Sequence, residues 1–185
     1  RSTPSVRIQP WARPTPTEKL ETTHLSVVDG EGNAVGLTTT LNGSFGCGLL
    51  VPELEILLNN EMDDFAAAPG KPNLYSLVQG EANAVGPGKR MLSSMTPTIA
   101  WRGSELLVLG SPGGSRIPTA TGQVLLSLVV DGDALQAAVD RPRVHHQWLP
   151  DELAFEDGAL TPATLKELTE RVHMLRRVQS LCEVH

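Results

Sequence analysis

Residues 21–42, ETTHLSVVDGEGNAVGLTTTLN, alternate polar and apolar side chains on either side of a Gly- and Asx-rich stretch. Alternation at a period of two is the signature of a strand with two different faces. Asp29-Gly30-Glu31-Gly32-Asn33 supplies the residue types of a five-residue turn. The segment therefore reads as a β-hairpin. With the turn centred on Glu31, Thr22 faces Thr40, His24 faces Thr38 and Ser26 faces Gly36, with Asn42 just beyond on the same face. The other face gathers Leu25, Val27, Val35, Leu37 and Leu41. It is the expected core face, because small hydroxyl-bearing side chains pack poorly as core.

The rest of the chain must complete a core around this hairpin. At 185 residues it is long enough to do so as one domain, and 40% hydrophobic with 19% charged residues is a globular rather than a disordered balance. Aromatics are only 4%, so the core must rest on Leu, Val and Ala. A net charge of −6 provides no basic field, which excludes nucleic acid and anionic lipid as expected partners. The longest apolar run, residues 124–130, is far too short to cross a bilayer, and the opening RSTPSVRIQPWARPTPTEKL lacks the apolar stretch of a signal peptide. Cys47 and Cys182 are too few for a disulfide framework and are expected to be free, buried thiols. Cys182 with His185, or His145 with His146, makes no metal site by spacing. Neither a metal nor another cofactor is expected.

Four prolines and no periodicity make residues 1–21 an expected linker. Residues 43–92 are expected to be loop-rich, with one short apolar segment at 54–58. Strands are expected over Thr98–Arg102 and Glu105–Leu109, joined through Gly103-Ser104. Beyond Gly110-Ser111-Pro112-Gly113-Gly114-Ser115 the period changes to that of a helix, with Val124, Leu125, Leu128 and Val129 on its apolar face. Asp133 is expected to cap a second helix carrying Leu135, Ala138 and Val139 and ended by Pro142. A third has Thr161 as N-cap, Pro162 in its first turn and a buried face of Leu165, Leu168, Val172 and Leu175. Strands followed by helices give an α+β class in layers.

The hairpin's threonines allow two readings from the residues alone. Facing threonines stabilise a strand pair, which is the plainer one. Alternatively Thr22 is a nucleophile whose hydroxyl is held by Thr40. A threonine hydroxyl needs a base, and no histidine–carboxylate pair is evidently arranged for it. Cutting the Glu21–Thr22 bond would create one, because an α-amine titrates at about 7.7–8.0.

Six blocks in order, TTHLSVVD, GNAVGLTTTLN, ILLNNEMDDF, NAVGPGKRMLSSMTPTI, GSPGGSRI and PRVHHQWLPDE, resemble the small catalytic subunit of gamma-glutamyltransferase, an N-terminal-nucleophile hydrolase, from about Glu21 to Gln179. The resemblance implies the layered αββα sandwich of that superfamily. Here that means an incomplete small-subunit domain over 22–185 behind a linker, 1–21, similar to the large subunit's C-terminal tail. It also implies a precursor that cuts itself between Glu21 and Thr22. The freed Thr22 attacks the γ-glutamyl amide of glutathione or its conjugates, and water or an amino acid or peptide takes the glutamyl group. Thr40 supports the nucleophile, and Gly113 with Gly114 forms the oxyanion hole. Asn42, Glu61 and Asp64 hold the α-amino end of the substrate, and Ser93 with Ser94 its α-carboxylate.

These residue types suit the chemistry. Carboxylates and an amide oxygen meet an ammonium; hydroxyls and N–H groups meet a carboxylate; consecutive glycines admit backbone N–H groups to an oxyanion. Each also has a plainer reading, as a solvated acidic loop at 59–64, a turn at Ser93-Ser94 or a tight connection at Gly113-Gly114. A phosphate loop is a poor reading without a Walker lysine.

The family's large subunit, which brings an arginine for the substrate carboxylate, is the expected partner in a heterodimer cut from one precursor. This chain carries residues before Thr22 and stops as a further strand begins, so it is expected to represent an uncleaved form truncated at its C-terminus. The resemblance implies a periplasmic, secreted or cell-surface location. Two alternatives accompany this reading: an inactive gamma-glutamyltransferase-like fragment that serves only in binding, and a related acylase.

Overall fold

Strands β1 (Thr22–Val28) and β2 (Ala34–Thr40) pair antiparallel in the register expected, Thr22 opposite Thr40, His24 opposite Thr38 and Ser26 opposite Gly36. The Asp29 carboxylate closes the turn. It accepts the N–H groups of Glu31 and Asn33, both at 2.9 Å, and the Asn33 side-chain amide at 2.7 Å. These donors favour the charged form and hold the carboxyl below its ordinary pKa. The computed structural model describes residues 22–185, so the expected linker 1–21 and residue Glu21 of the expected cleavage bond lie outside the described residues.

The loop-rich stretch that follows contains short strands β3 (Leu50–Val51) and β4 (Ile56–Leu57), which pair with each other, and single 3₁₀ turns at Glu61–Asp64 and Glu81–Asn83. Strands β5 (Thr98–Arg102) and β6 (Glu105–Leu109) form the second hairpin about Gly103, whose φ of 61° suits a residue without Cβ. Helix α1 (Ile117–Leu126) packs behind this hairpin, followed by a π-helical turn (Ser127–Asp131) and α2 (Leu135–Asp140). Leu109, Ala120, Val124, Leu128, Ala138, Cys182 and Val184 form the core between β6 and the helices. Strands β7 (Val144–His145) and β8 (Leu153–Glu156) then pair antiparallel, and α3 (Pro162–Glu170) crosses over to β9 (Leu175–Val178), parallel to β8.

The first hairpin faces the opposite way from the expectation. Its hydroxyl face is the inward one: Thr22, His24 and Thr38 are each under 10% exposed, while Leu25, Val27, Val35 and Leu37 are between 42% and 55% exposed. Alternation separates two faces without saying which is covered. The polar face can be buried because its groups bond one another. His24 bridges Thr38 at 2.7 Å and Ser26 at 3.1 Å, and Ser26 donates to the Val108 carbonyl of β6. The described residues thus stack as hairpin, hairpin and helices, with the apolar side of the first hairpin bare.

Other expectations are corrected by local causes. Wider winding in the π turn carries Val129 to the surface and brings Ser127 inward. Ala134, not Asp133, precedes α2; the Asp133 carboxylate instead accepts from Ser127 Oγ at 2.5 Å and pairs with Arg141. Thr161 does cap α3, accepting the Thr164 N–H at 3.1 Å. Leu165 and Leu168 are half-buried, but Val172 lies beyond the helix end, 87% exposed at a φ of 65°, and Leu175 belongs to β9. Both cysteines are free, Cys182 buried and Cys47 exposed in a glycine-rich loop.

Residues 181–185 lie along the start of the GSPGGS turn. Gly110 and His185 exchange backbone bonds of 3.0 and 2.8 Å, and Ser111 donates to the Glu183 carbonyl at 3.0 Å. The buried Glu156 carboxylate fixes this segment by accepting the N–H of Leu181 and of Arg143, while Arg143 donates to the Cys182 carbonyl. On the other side Gly110 rests on His24, where an added Cβ would stand 2.3 Å from the imidazole. That ring is bonded at both nitrogens and cannot easily swing away. Gly110→Ala is therefore expected to destabilise the protein by about 1–3 kcal/mol, read from urea or thermal unfolding. An unchanged midpoint would contradict this packing.

Candidate active site

Thr22 opens β1 and Thr40 closes β2, so the hairpin register sets one hydroxyl against the other. Thr22 Oγ1 donates to Thr40 Oγ1 at 3.2 Å, and the same Thr40 oxygen accepts the Asn42 N–H at 2.9 Å. A φ of 71° at Asn42 turns the chain back to make that second bond. Thr40 is thereby fixed as the acceptor for the Thr22 proton. In the chain as written the Thr22 nitrogen is an amide, so it is not yet a base.

Asn42 is almost fully buried. Its side-chain amide donates to the Asn60 carbonyl at 3.2 Å, and the Asn60 side chain accepts the Gly43 N–H at 2.8 Å. This couples the end of β2 to the 3₁₀ turn carrying Glu61 and Asp64. Burial first, then a hydrogen bond and charge repulsion from Asp64, push the Glu61 carboxyl up to about 7. Burial also raises Asp64. Near neutrality Glu61 is therefore protonated in about half of the molecules, and among the described residues its Oε2 is buried without a hydrogen-bond partner. Two close carboxyls with an unused oxygen suit a cation able to replace that proton.

Thr22, Thr40, Asn42, Asp64, Ser93, Ser94 and Gly114 line one pocket. Of the residues singled out in the sequence, Glu61 and Gly113 do not line it: Glu61 stands behind Asp64, and Gly113 is buried next to Gly114. Gly113 and Gly114 have φ values of 136° and 57°, leading into the 3₁₀ turn that starts α1. Only glycine tolerates the pair without strain, and it leaves the backbone open to the pocket. Ser93 Oγ accepts the Met95 N–H at 3.2 Å, which leaves its O–H as a donor. His145 and His146 point opposite ways on and after β7, the first buried against Thr119 and Gln147, the second exposed beside Asp151.

Tyr75 and Gln147 are not singled out by the sequence, yet Tyr75 forms a wall of the pocket and Gln147 braces it from outside. The Tyr75 hydroxyl donates to the Asn42 carbonyl at 2.8 Å, and its ring lies so close over Gly114 that an added Cβ would stand 2.4 Å from it. Gln147 donates to the Tyr75 carbonyl at 3.0 Å and accepts from Ser115 Oγ at 2.7 Å, tying the Tyr75 loop to the glycine turn. The available signals were a lone tyrosine in a loop and a glutamine next to two histidines, neither with a local pattern. The enclosed space is only about 20 Å³, room for one water.

A protein-family model described as Gamma-glutamyltranspeptidase matches residues 2–185. The chain is 54% identical over 169 residues to a glutathione hydrolase proenzyme of Escherichia coli (strain K12), covering 91% of this chain and 29% of that protein. It therefore spans less than a third of that relative's length. A crystal structure of a mutant Helicobacter pylori gamma-glutamyltranspeptidase superposes with a TM-score of 0.83 at 44% identity, covering 88% of each chain. A cephalosporin acylase from Bacillus halodurans matches at a TM-score of 0.69 and 25% identity, with 85% of this chain and 27% of that one covered.

The carboxyl pair sets a pH dependence. Relative to an ordinary value of 4.5, a Glu61 carboxyl at about 7 makes the folded site bind more protons than the unfolded chain. Its contribution to stability therefore falls as pH rises from 4.5 to about 7. An ammonium ligand reverses the preference, since it needs the ionised pair. Its affinity should rise by up to about tenfold per pH unit towards 7 and then level. Glu61→Gln should flatten the profile and weaken binding. Titrations from pH 5.5 to 8 check this, and a flat profile for the unmodified protein would contradict it.

Proposed function

This chain belongs to the gamma-glutamyltranspeptidase family, and from that premise we propose that it is the catalytic part of a self-processing γ-glutamyl transfer enzyme. Its reaction, on this reading, takes the γ-glutamyl group from glutathione or its conjugates to water or to an amino acid or peptide. The observation that carries the reading is the Thr22–Thr40–Asn42 hydrogen-bonded set in one pocket with Gly114, Ser93, Ser94 and Asp64.

Scission of the Glu21–Thr22 bond gives Thr22 an α-amine. Near pH 8 about half or more of that amine is unprotonated, and it accepts the hydroxyl proton, directly or through one water. Thr22 Oγ1 then bonds to the γ-carbonyl carbon. The oxyanion is met by N–H groups of Gly113 and Gly114, where losing one such donor costs about 10²–10³ in rate. The C–N bond breaks as the amine proton passes to the leaving nitrogen, and a γ-glutamyl ester remains on Thr22. Water or an acceptor amine attacks the same carbon, the C–Oγ bond breaks, and a proton returns to the Thr22 hydroxyl. At the far end Asp64, backed by Glu61, and the Asn42 amide oxygen receive the α-ammonium. Ser93 and Ser94 donate to the α-carboxylate. The carboxyl pair favours a γ-glutamyl group over the amine-free acyl group of a related acylase.

The partner we propose is the large-subunit portion of such a proenzyme, which would bring an arginine to the substrate carboxylate. The bare face of Leu25, Val27, Val35 and Leu37 supports this, because soluble monomers rarely leave a contiguous apolar sheet face uncovered. The proposed compartment is the periplasm, cell surface or exterior, on the family resemblance.

Expressed with the remainder of a proenzyme, the chain should lose residues 1–21 in intact mass spectra and hydrolyse a γ-glutamyl anilide. Thr22→Ala should abolish both. Thr40→Ala should slow cleavage by about tenfold, the worth of one hydrogen bond of roughly 1.4 kcal/mol. Equal persistence of uncut Thr22→Ala and unmodified protein would overturn self-processing. Kept alone, the chain should self-associate, and a monomer at micromolar concentration in sedimentation would count against the apolar docking face.

A further inference from the structure

The α-amino and α-carboxylate groups of a γ-glutamyl donor sit on one carbon, so their receptors have to stand at one fixed spacing. On the proposed function those receptors are Asp64 at one end and Ser93 with Ser94 at the other, and all three line the pocket of Thr22. They come from separate parts of the chain. Asp64 ends the 3₁₀ turn Glu61–Asp64, and Ser93-Ser94 lie in an irregular stretch ahead of β5. Neither segment belongs to a strand, so no sheet ladder sets the distance between them.

A single side chain joins the two. Asn83, the last residue of the 3₁₀ turn Glu81–Asn83, is half-buried and stands outside the pocket lining. Its amide nitrogen donates to the Asp64 carbonyl at 2.7 Å and to the Gln79 side-chain oxygen. Its amide oxygen accepts the Leu92 N–H at 3.0 Å, one residue before Ser93. The Asn83 main-chain carbonyl accepts the Ala66 N–H at 3.0 Å, two residues past Asp64. Reversing the amide would set its oxygen against the Asp64 carbonyl and its N–H groups against the Leu92 N–H, so one orientation alone fits. The intervening loop leaves from Asn83 and returns to it, closed on itself by Lys89 Nζ donating to the Ala84 carbonyl at 2.9 Å. A planar amide has a fixed distance between its nitrogen and its oxygen. The backbone at Asp64 and the backbone before Ser93 are therefore held apart by one rigid group.

We propose that Asn83 is a positioning residue that sets the spacing between the α-ammonium and α-carboxylate receptors. It thereby makes the site select acyl groups that carry both charges on one carbon. The inference rests on the proposed function and gives Asn83 no contact with the substrate. An asparagine that only stabilised the loop would affect every acyl donor alike. A spacer acts on the donor that engages both ends and spares donors that engage one.

The test uses the processed protein assembled with its large subunit and three anilides. These are the γ-glutamyl anilide, the glutaryl anilide, which lacks the α-ammonium, and the 4-aminobutyryl anilide, which lacks the α-carboxylate. The unmodified protein should prefer the first to both others in kcat/KM. Asn83→Ala should lower both preferences by about tenfold, the scale of one hydrogen bond, with the other two anilides turned over as before. Asn83→Asp has the same shape and keeps the Leu92 bond, so it is expected to fold; lacking the donor to Asp64, it should lose both preferences as well. Preferences that survive in the folded variants, a loss confined to one of them, or an equal loss for all three anilides would overturn the spacer role while leaving the proposed function intact. Absence of γ-glutamyl anilide hydrolysis by the unmodified protein would overturn the proposed function and this inference together.

Discussion

Registration of β1 against β2 is the constraint on which the rest of the molecule depends. Strand side chains alternate, so a slip of one residue would turn one strand over and part Thr22 from Thr40, sending one of the two hydroxyls to the bare face. The Asp29 carboxylate prevents the slip by holding three donors within its own turn. From that register follow the contact between the two hydroxyls, the return of the Asn42 N–H to Thr40, and the seating of His24 under Gly110. The last of these positions the strand end from which the glycine turn departs. The proposed nucleophile and the proposed oxyanion donors therefore share one reference frame.

The same register has a cost at the level of the whole domain. Because the hydroxyl face is spent on the site, the hairpin's apolar face is left outward. Buried polar groups stabilise a fold little beyond being satisfied, whereas uncovered apolar surface forfeits the hydrophobic contribution. A domain arranged in this way gains its missing stability from whatever covers that face. On the proposed function, catalysis and assembly are coupled through a single two-stranded element.

Charge is sorted around the candidate site. Carboxyls crowd at one end, behind Asp64, and guanidinium groups gather at the other, beyond Tyr75. Between them lie uncharged groups: two threonine hydroxyls, glycine backbone and the Tyr75 ring. Gln147 joins the two regions by bonding Tyr75, Ser115 and His145 at once.

Local patterns were enough for the elements whose causes are local. The hairpin register, the second hairpin about Gly103 and the Thr161 cap of α3 each follow from residues within a few positions of one another, and the ordered blocks identified the family. The site residues from Thr22 to Gly114 were legible as types suited to a chemistry and as members of those blocks. Tertiary packing decided what such patterns leave free. Period-two alternation is symmetric between inside and outside, so only contact with β6 could settle which hairpin face is buried. The winding at Ser127 and the diversion of Asp133 to Arg141 depend on neighbours outside the helix pattern. Tyr75, Gln147 and Arg176 are separated by long stretches of chain, and no periodicity links them; the fold alone brings them to one wall, because hydrogen bonding and burial act through space rather than along the sequence.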